Sequence, residues 1–192
     1  MVKKQSNSFM SCDGKTSIHV VMWRPDENEY DKPVAVLQIS HGMIEYIDRY
    51  DGFARFMADR GFVVVGNDHL GHGESVCSDD DLGFFKDEHP GEALAKDVHH
   101  LTVLTKKMYP GIPYYLLGHS MGSFVTRKYI CDYGYELDGV IIMGTGHQPA
   151  PMVFAGKVLA DVVRLIKGDR YRSRLISKIM FGNYNKRIKN VR

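Results

Sequence analysis

The chain contains 192 residues, of which 44% are hydrophobic, and its formal net charge is +2 at pH 7. This length and apolar content predict one main folded domain with a buried core. The sequence contains no apolar run close to the roughly 20 residues that a membrane-spanning helix needs, and Met1–Ser8 do not resemble a signal peptide. We therefore expect a cytoplasmic protein.

The charge is unevenly distributed along the chain. Residues 157–192 hold 11 Lys or Arg against 2 Asp or Glu, whereas residues 1–156 hold 14 against 21. A basic segment of this kind favours peripheral contact with an anionic surface such as phospholipid. A C-terminal part beyond this sequence that carries the balancing acids explains the asymmetry equally well. Because the segment lacks interleaved aromatic residues and a recognised motif, we predict no nucleic-acid partner.

Taken in order, the chain alternates short apolar runs with helical patterns. The turn at Asp13-Gly14 predicts a hairpin between strands at 8–10 and 17–23. Further strands are predicted at 34–39, 62–67, 114–117 and 140–143. Helices are predicted at 49–60 (with Phe53, Phe56 and Met57 at helical spacing), at 92–109 and after Gly122. This alternation predicts an α/β fold with a mostly parallel sheet flanked by helices.

In such a sheet, binding sites lie beyond the carboxyl ends of the strands. Those ends carry polar and glycine-rich residues in this chain. They are His41-Gly42-Met43, Asp68 to Gly73, Ser120 and Gly144 to His147. We therefore predict an active site at this edge of the sheet.

The segment that ends at Gly122 is the most informative. The apolar run Tyr114–Leu117 is followed by Gly118-His119-Ser120-Met121-Gly122 and then by a helical pattern. A strand, G-x-S-x-G and a helix are the context of a nucleophile elbow, a tight turn that presents the serine at a helix N-terminus. We predict that Ser120 is a catalytic nucleophile, with backbone N–H groups facing a developing oxyanion.

After Pro149 two apolar stripes occur at helical spacing. The first is Phe154, Val158, Leu159, Val162, Val163 and Ile166, and the second is Leu175, Ile176, Ile179 and Met180. We interpret residues 149–192 as the start of a helical cap and residues 1–148 as the N-terminal part of the core domain. The stripes favour packing onto the core domain, and the basic residues beside them leave a second role as an interfacial surface open.

Three motifs lie in register along the chain. They are His41-Gly42-Met43-Ile44-Glu45 with Arg49-Tyr50, Asn67 to Ser75, and Gly118 to Gly122. Together they resemble the α/β-hydrolase fold, in particular the monoacylglycerol lipase and lysophospholipase-like group, which is also described as serine aminopeptidase S33-type or hydrolase 4. The resemblance covers nearly the whole chain.

The resemblance implies a cofactor-free carboxylic-ester hydrolase that forms an acyl-enzyme on Ser120. Its substrate would be a small-molecule acyl ester or a lysolipid. The backbone N–H groups of Met43 and Met121 would form the oxyanion hole. The residues that support the oxyanion loop and the elbow would be His41, Gly42, Gly118, His119 and Gly122. Glu45 would brace the oxyanion loop, and no proton transfer is assigned to His119.

In this family the triad acid and base follow on strands after the cap. Asp138 and His147 have the right order after Ser120, but they come much earlier than the family pattern places them. Since the chain stops at Arg192, we expect the triad Asp and His and the last strands to be missing. The chain is then an N-terminal portion of an esterase that is inactive by itself.

Several further features suggest ligands. Asp68, His69 and His72 share a glycine-rich loop without a further ligand cluster, so we predict no metal, and we expect His72 and Ser75 to hold the loop. Residues 79–81 are interpreted as a solvated acidic loop.

The three cysteines are widely spaced, which favours reduced thiols. No G-x-G-x-x-G follows a strand, so no dinucleotide cofactor is predicted.

Two alternatives remain open. An S33-type aminopeptidase of the same fold would need acidic groups near the cap to hold a substrate amine, and this cap is basic. A non-catalytic binding module would keep the fold without the chemistry, although Ser120 and its flanking glycines argue against it.

Overall fold

The computed structural model describes residues 1–85 and 89–181. These residues form two compact units, one from Met1 to Thr145 and one that begins at Gly146. Within the described residues, the first unit is built on a six-stranded sheet. Its strands are β1 (Lys3–Met10), β2 (Ser17–Arg24), β3 (Ala35–Ser40), β4 (Phe62–Asn67), β5 (Tyr114–His119) and β6 (Gly139–Met143).

The strands lie in the order β1-β2-β4-β3-β5-β6. The four strands from β3 to β6 are parallel, whereas β2 pairs antiparallel with both β1 and β4. The mostly parallel sheet predicted from the sequence is therefore confirmed. Because parallel strands end at the same edge of a sheet, the loops after β3, β4 and β5 meet at the edge that carries the predicted active site.

Helices accompany the sheet and continue beyond it. Among the described residues, the first unit has α1 (Asp51–Ala58), α2 (Pro90–Met108) and α3 (Met121–Tyr133), and the second has α4 (Ala150–Lys167) and α5 (Arg174–Phe181). A 3-10 turn, Ile47–Tyr50, leads directly into α1. The helix predicted at 49–60 is thus a 3-10 turn followed by a short α-helix.

Two local features differ from the sequence-based expectation. β1 begins at Lys3 rather than at residue 8, because its polar residues pair with β2 along the full register from Lys3↔Arg24 to Met10↔Ser17. In α1 the buried residues are Ala54 and Ala58, whereas Phe53 and Phe56 are exposed. Small side chains let this helix pack closely against β4.

The core occupies both faces of the sheet, because alternate residues of each strand point to opposite sides. On one face Leu37, Val64 and Trp23 pack with the two alanines of α1. On the other face, Val36 of β3 and Val65 of β4 pack with Leu101 of α2. All six residues of β3 are buried, so the strand that leads into residues 41–43 is fixed on both faces.

The second unit consists of α4 and α5. α4 runs without interruption through Gly156, and most of its apolar stripe is exposed, with Phe154 at 70% and Ile166 at 71%. Leu175 and Ile179 of α5 are exposed as well, whereas the side chain of Met180 lies outside the described ones. Over the ranges 1–85 and 89–181, no helix is long and apolar enough to cross a membrane.

Candidate active site

Ser120 lies on the turn between β5 and α3. Its φ of +51° and ψ of −116° form a conformation that a residue with a side chain rarely adopts. The backbone N–H of Ser120 donates to the Met143 carbonyl on β6 at 2.9 Å. The Ser120 carbonyl accepts the Ser123 N–H at 3.0 Å and the Ser123 hydroxyl at 2.6 Å. The neighbouring strand and the first turn of α3 therefore hold this strained residue from both sides.

The two glycines of the elbow are required by close backbone packing. A Cβ added to Gly118 would lie 2.5 Å from the carbonyl oxygen of Gly122, and a Cβ added to Gly122 would overlap the Ser40 carbonyl. Met121 is the first residue of α3, so its N–H is one of the first-turn donors that have no acceptor within the helix. The elbow thus places a serine beside a free helix N-terminus.

The loop after β3 lies against this elbow. A Cβ added to Gly42 would lie 3.1 Å from the Cβ of Ser120. His41 is fully buried, and its Nε2 accepts the backbone N–H of His69 at 2.9 Å. Its Nδ1 must then carry the ring proton, which it donates to the Gly42 carbonyl at 2.7 Å. Burial lowers the pKa of His41 to about 4, so this arrangement is neutral at pH 7.

The hydrogen bond from His41 has a consequence for the next N–H along the chain. In a planar trans peptide, the C=O and the following N–H point in opposite directions. Since His41 holds the Gly42 carbonyl towards the interior, the N–H of Met43 must point away from His41. Met43 is 41% exposed. This N–H is the one for which the sequence motifs predict a role as oxyanion donor.

Glu45 connects this loop to the elbow. Its Oε1 accepts the Gly42 N–H and, at 2.9 Å, the hydroxyl of Tyr50. The same oxygen lies 3.1 Å from Nδ1 of His119, which in turn lies 3.0 Å from the Tyr50 hydroxyl. Burial raises the pKa of Glu45, but the hydrogen bonds from His119, Gly42 and Tyr50 outweigh that effect and lower it below its ordinary value. Glu45 is therefore an ionised carboxylate at neutral pH.

The loop after β4 is held by its own polar groups. The carboxylate of Asp68 accepts the backbone N–H groups of Ile47 at 2.7 Å and Glu74 at 2.8 Å. Ser75 donates its hydroxyl to the Asp68 carbonyl at 2.8 Å, and His72 Nδ1 lies 3.0 Å from the Leu70 carbonyl. Asp68 and His72 are thus engaged in holding the loop.

No metal cluster is apparent in the part of the chain that the structure describes, where no group of three or more His, Cys, Asp or Glu could hold an ion. The acidic run at 79–81 differs from the expectation in one respect. Asp81 is only 8% exposed, and the hydroxyl of Ser78 lies 3.4 Å from its carboxylate. The run is therefore a short 3-10 turn with one buried carboxylate rather than a fully solvated loop.

Comparison with known families decides the membership of the chain. The model of the hydrolase 4 family, described as serine aminopeptidase S33, matches residues 31–189. The chain belongs to the S33 family. The resemblance drawn from the three sequence motifs is therefore confirmed.

Individual relatives support this assignment. The S33 chain is 34% identical over 129 residues to the monoglyceride lipase homolog of Monkeypox virus, a match that covers 66% of this chain and 42% of the relative. It is 28% identical over 144 residues to the monoglyceride lipase of Homo sapiens, covering 75% of this chain and 42% of the relative. Phospholipase YtpA of Bacillus subtilis is 32% identical over 100 residues, or 52% of this chain and 36% of the relative. The chain thus spans less than half the length of these curated relatives.

Solved structures agree with the family assignment. A carboxyl esterase from Bacillus coagulans superposes with a TM-score of 0.82 at 29% identity, covering 97% of this chain and 58% of the esterase. A lipase in its open form superposes with a TM-score of 0.77 at 27% identity, covering 97% and 59% of the two chains. The predicted α/β-hydrolase fold of this S33 chain is confirmed.

Asp138, considered as a triad acid from its sequence order, lies at the wrong end of the S33 sheet. Its carboxylate accepts the Tyr114 N–H at 2.7 Å, at the start of β5. Ser120 follows the far end of that strand, about 20 Å away at roughly 3.3 Å per residue. Asp138 therefore holds the start of β5 and does not meet Ser120. His147 belongs to the second unit.

The connection between Glu45, Tyr50 and His119 could not be derived from spacing alone. These residues lie in two motifs that are separated by almost 70 positions, and only the pairing of β3 with β5 brings them together. The available signal was the joint occurrence of the two motifs in one S33 chain.

Proposed function

We propose that this chain carries the nucleophile and the oxyanion donors of a serine carboxylic-ester hydrolase that acts on monoacylglycerols or lysophospholipids. The observation that carries the proposal is the position of Ser120, strained at φ +51° between two obligatory glycines and adjacent to Gly42. Strain of this kind persists at sites where a precise side-chain position serves function.

The proposed reaction proceeds through a covalent intermediate. The Ser120 hydroxyl oxygen attacks the ester carbonyl, its proton leaves to a general base, and expulsion of the alcohol gives an acyl-serine that water hydrolyses. The backbone N–H groups of Met43 and Met121 stabilise the oxyanion. Removal of one such donor typically lowers the rate by about 10²–10³. We assign no described residue as the general base or its acid partner.

The substrate class rests on two supports. The relatives with monoglyceride lipase or phospholipase in their names act, by those names, on lipid esters. The second unit is rich in basic side chains, among them Lys157, Arg164 and Lys167 of α4. Such a surface suits peripheral contact with anionic lipid. An S33-type aminopeptidase is the competing activity, and it would call for acidic rather than basic groups around a substrate amine.

A probe experiment separates these functions. The natural protein that carries this sequence is treated with a fluorophosphonate, and the labelled peptide is located by mass spectrometry. We expect the label on Ser120, none on a Ser120→Ala variant, and normal labelling of a Ser8→Ala control on the exposed strand β1. Failure of the wild-type protein to label would contradict a hydrolase and favour a binding module.

Substrate choice is tested on the same preparations. Monoacylglycerol, lysophosphatidylcholine and an aminoacyl anilide are compared by release of fatty acid or aniline. We expect turnover of at least one lipid ester and not of the anilide. Preferential cleavage of the anilide would instead favour the aminopeptidase.

A further inference from the structure

Three groups from three segments converge on one oxygen of Glu45. They are the backbone N–H of Gly42, the hydroxyl of Tyr50 and Nδ1 of His119. Gly42 lies in the oxyanion loop, Tyr50 is the last residue of the 3-10 turn, and His119 directly precedes Ser120. The Glu45 side chain is only 10% exposed. A buried carboxylate with several donors is held in one position, because each hydrogen bond to a charged group is strong.

The loop that Glu45 closes is strained. Ile44, directly before Glu45, has φ +59° although it is β-branched, and it is 76% exposed. A β-branched residue in this region is a genuine outlier. Because the Ile44 side chain is exposed, its burial supplies no free energy to offset the cost of this backbone conformation. Since strained residues persist only where neighbouring structure holds them, the hydrogen bond from Gly42 N–H to Glu45 is the restraint that spans Ile44.

Gly42 is held on both of its peptide groups. Glu45 accepts its N–H, and His41 donates to its carbonyl. The bond from His41 fixes the plane of the Gly42–Met43 peptide, which carries the Met43 N–H, and the bond to Glu45 fixes the preceding His41–Gly42 peptide. With both planes held, the backbone conformation of Gly42 between them is set as well. His41 is locked in the core by its bond from His69. Glu45 is the partner that links the His41–Gly42 peptide to the elbow through His119.

We propose that Glu45 is a positioning residue, which keeps the strained loop closed and aims the Met43 N–H at the oxyanion, with His119 and Tyr50 holding the carboxylate in register with Ser120. The inference rests on the proposed function and deepens it. Glu45 itself touches neither substrate nor the reacting atoms in this role. Its removal should therefore weaken stabilisation of the transition state more than binding of the ester.

Steady-state kinetics test this role in the natural protein that carries the sequence. We expect Glu45→Ala to lower kcat by about 10- to 100-fold, within the range for loss of an oxyanion donor, with KM changed less than about threefold. Glu45→Gln keeps an oxygen acceptor and should recover most of the activity. Glu29→Ala, on an exposed loop, is the matched control. Equal kcat for Glu45→Ala and the control would overturn the proposal.

Amide hydrogen exchange gives a readout that does not depend on catalysis. Glu45→Ala should accelerate exchange of the Gly42 amide at least tenfold and leave that of Leu37 in β3 unchanged. Acceleration at both amides would mean a general loss of stability and would overturn a specific positioning role. If the wild-type protein does not label at Ser120, the proposed function fails, and this exchange result still decides whether Glu45 holds the loop.

A second substitution tests whether strain is the reason for the restraint. Asn tolerates positive φ better than Ile, so Ile44→Asn should relax the loop. In the Glu45→Ala background, Ile44→Asn should raise kcat at least threefold, whereas in the wild-type background it should change kcat little. Equal effects in both backgrounds would contradict the coupling between Ile44 and Glu45.

Discussion

The rings of His41 and His69 lie 4.4 Å apart in the core beneath the oxyanion loop, joined by the bond from the His69 N–H to His41 Nε2. Both imidazoles are buried, and burial lowers both of their pKa values. His41 cannot gain a proton at Nε2 without breaking the bond from the His69 N–H, which holds the ring against the Gly42 carbonyl. The loop beside Ser120 is therefore built on two neutral histidines.

The first prediction concerns acid stability. The pKa of His41 is lowered from near 6.5 to about 4 in the folded state. His41 therefore binds a proton at a higher pH in the unfolded chain than in the folded one. The contribution of neutral His41 to the free energy of unfolding is fully present above pH 6.5 and is lost as the pH falls towards 4. At pH 5 this loss amounts to about 2 kcal/mol from His41. Urea titrations at pH 7.5 and pH 5 should show a smaller pH dependence for His41→Gln than for the wild-type protein.

His147→Gln is the control for this measurement. Its side chain is exposed and lies outside the first unit, so the variant should keep the wild-type pH dependence. Identical pH dependence in all three proteins would contradict a role for buried neutral His41 in acid stability.

The second prediction concerns the elbow glycines. Gly122→Ala places a methyl group on the Ser40 carbonyl, a backbone atom that cannot move without shifting β3. We expect a loss of about 3 kcal/mol or more in the free energy of unfolding, as for other overpacked core sites. Gly91→Ala is the matched control, since nothing lies within 4 Å of the added Cβ. Similar unfolding free energies for the two variants would show that the strand and the elbow are not in contact.

The third prediction concerns the free-energy cost of the Ser120 backbone conformation. Ser120 adopts φ +51° and ψ −116°, a conformation that glycine tolerates and that costs other residues roughly 1–3 kcal/mol. Ser120→Gly should therefore unfold at a higher temperature than Ser120→Ala, although neither variant can form an acyl-enzyme. Thermal unfolding followed by circular dichroism makes the comparison. A lower unfolding temperature for the glycine variant would mean that the elbow stores no strain.

The sequence predicted the parallel strands well because their signal is local. The run at 62–67 is apolar except for its last residue, Asn67, and matches β4 residue for residue, since a strand covered on both faces needs no alternation. β1 gave no such signal. Residues 3–7 are polar and exposed, and they form a strand only because β2 offers its backbone for pairing. A pairing of this kind depends on tertiary context rather than on residue pattern.

In the candidate site, too, local features were predictable from the sequence, whereas contacts between distant segments were not. Ser120 and its glycines were predictable because the elbow is contained in five consecutive residues. The contact of His41 with His69 and that of Glu45 with His119 each join loops that follow different strands. Their geometry depends on the strand order, which residue spacing does not contain. Sequence reasoning therefore singled out Ser120 and named His41, Glu45 and His119 as supporting residues, but it could not derive the contacts that join them.

The last prediction concerns a polar network in the core behind the site. Gln38 is buried in β3, where its Nε2 donates to the Val98 carbonyl at 2.8 Å and its Oε1 accepts hydroxyls from Thr102 at 2.8 Å and Tyr114 at 2.5 Å. Gln38→Leu would leave several buried polar groups without this partner and should cost about 2–4 kcal/mol. Tyr114→Phe removes one donor from an oxygen that keeps another, so it should cost only about 1 kcal/mol.

The double variant makes this prediction sharper. Once Gln38 is gone, the Tyr114 hydroxyl has lost its acceptor there, so Tyr114→Phe should cost little or even stabilise the Gln38→Leu protein. Urea unfolding of the single and double variants gives the coupling, which we expect to be about 1 kcal/mol or more. Tyr135→Phe, at an 85% exposed position, is the control and should be neutral in both backgrounds. Additive costs for Gln38 and Tyr114 would show that the two side chains act independently.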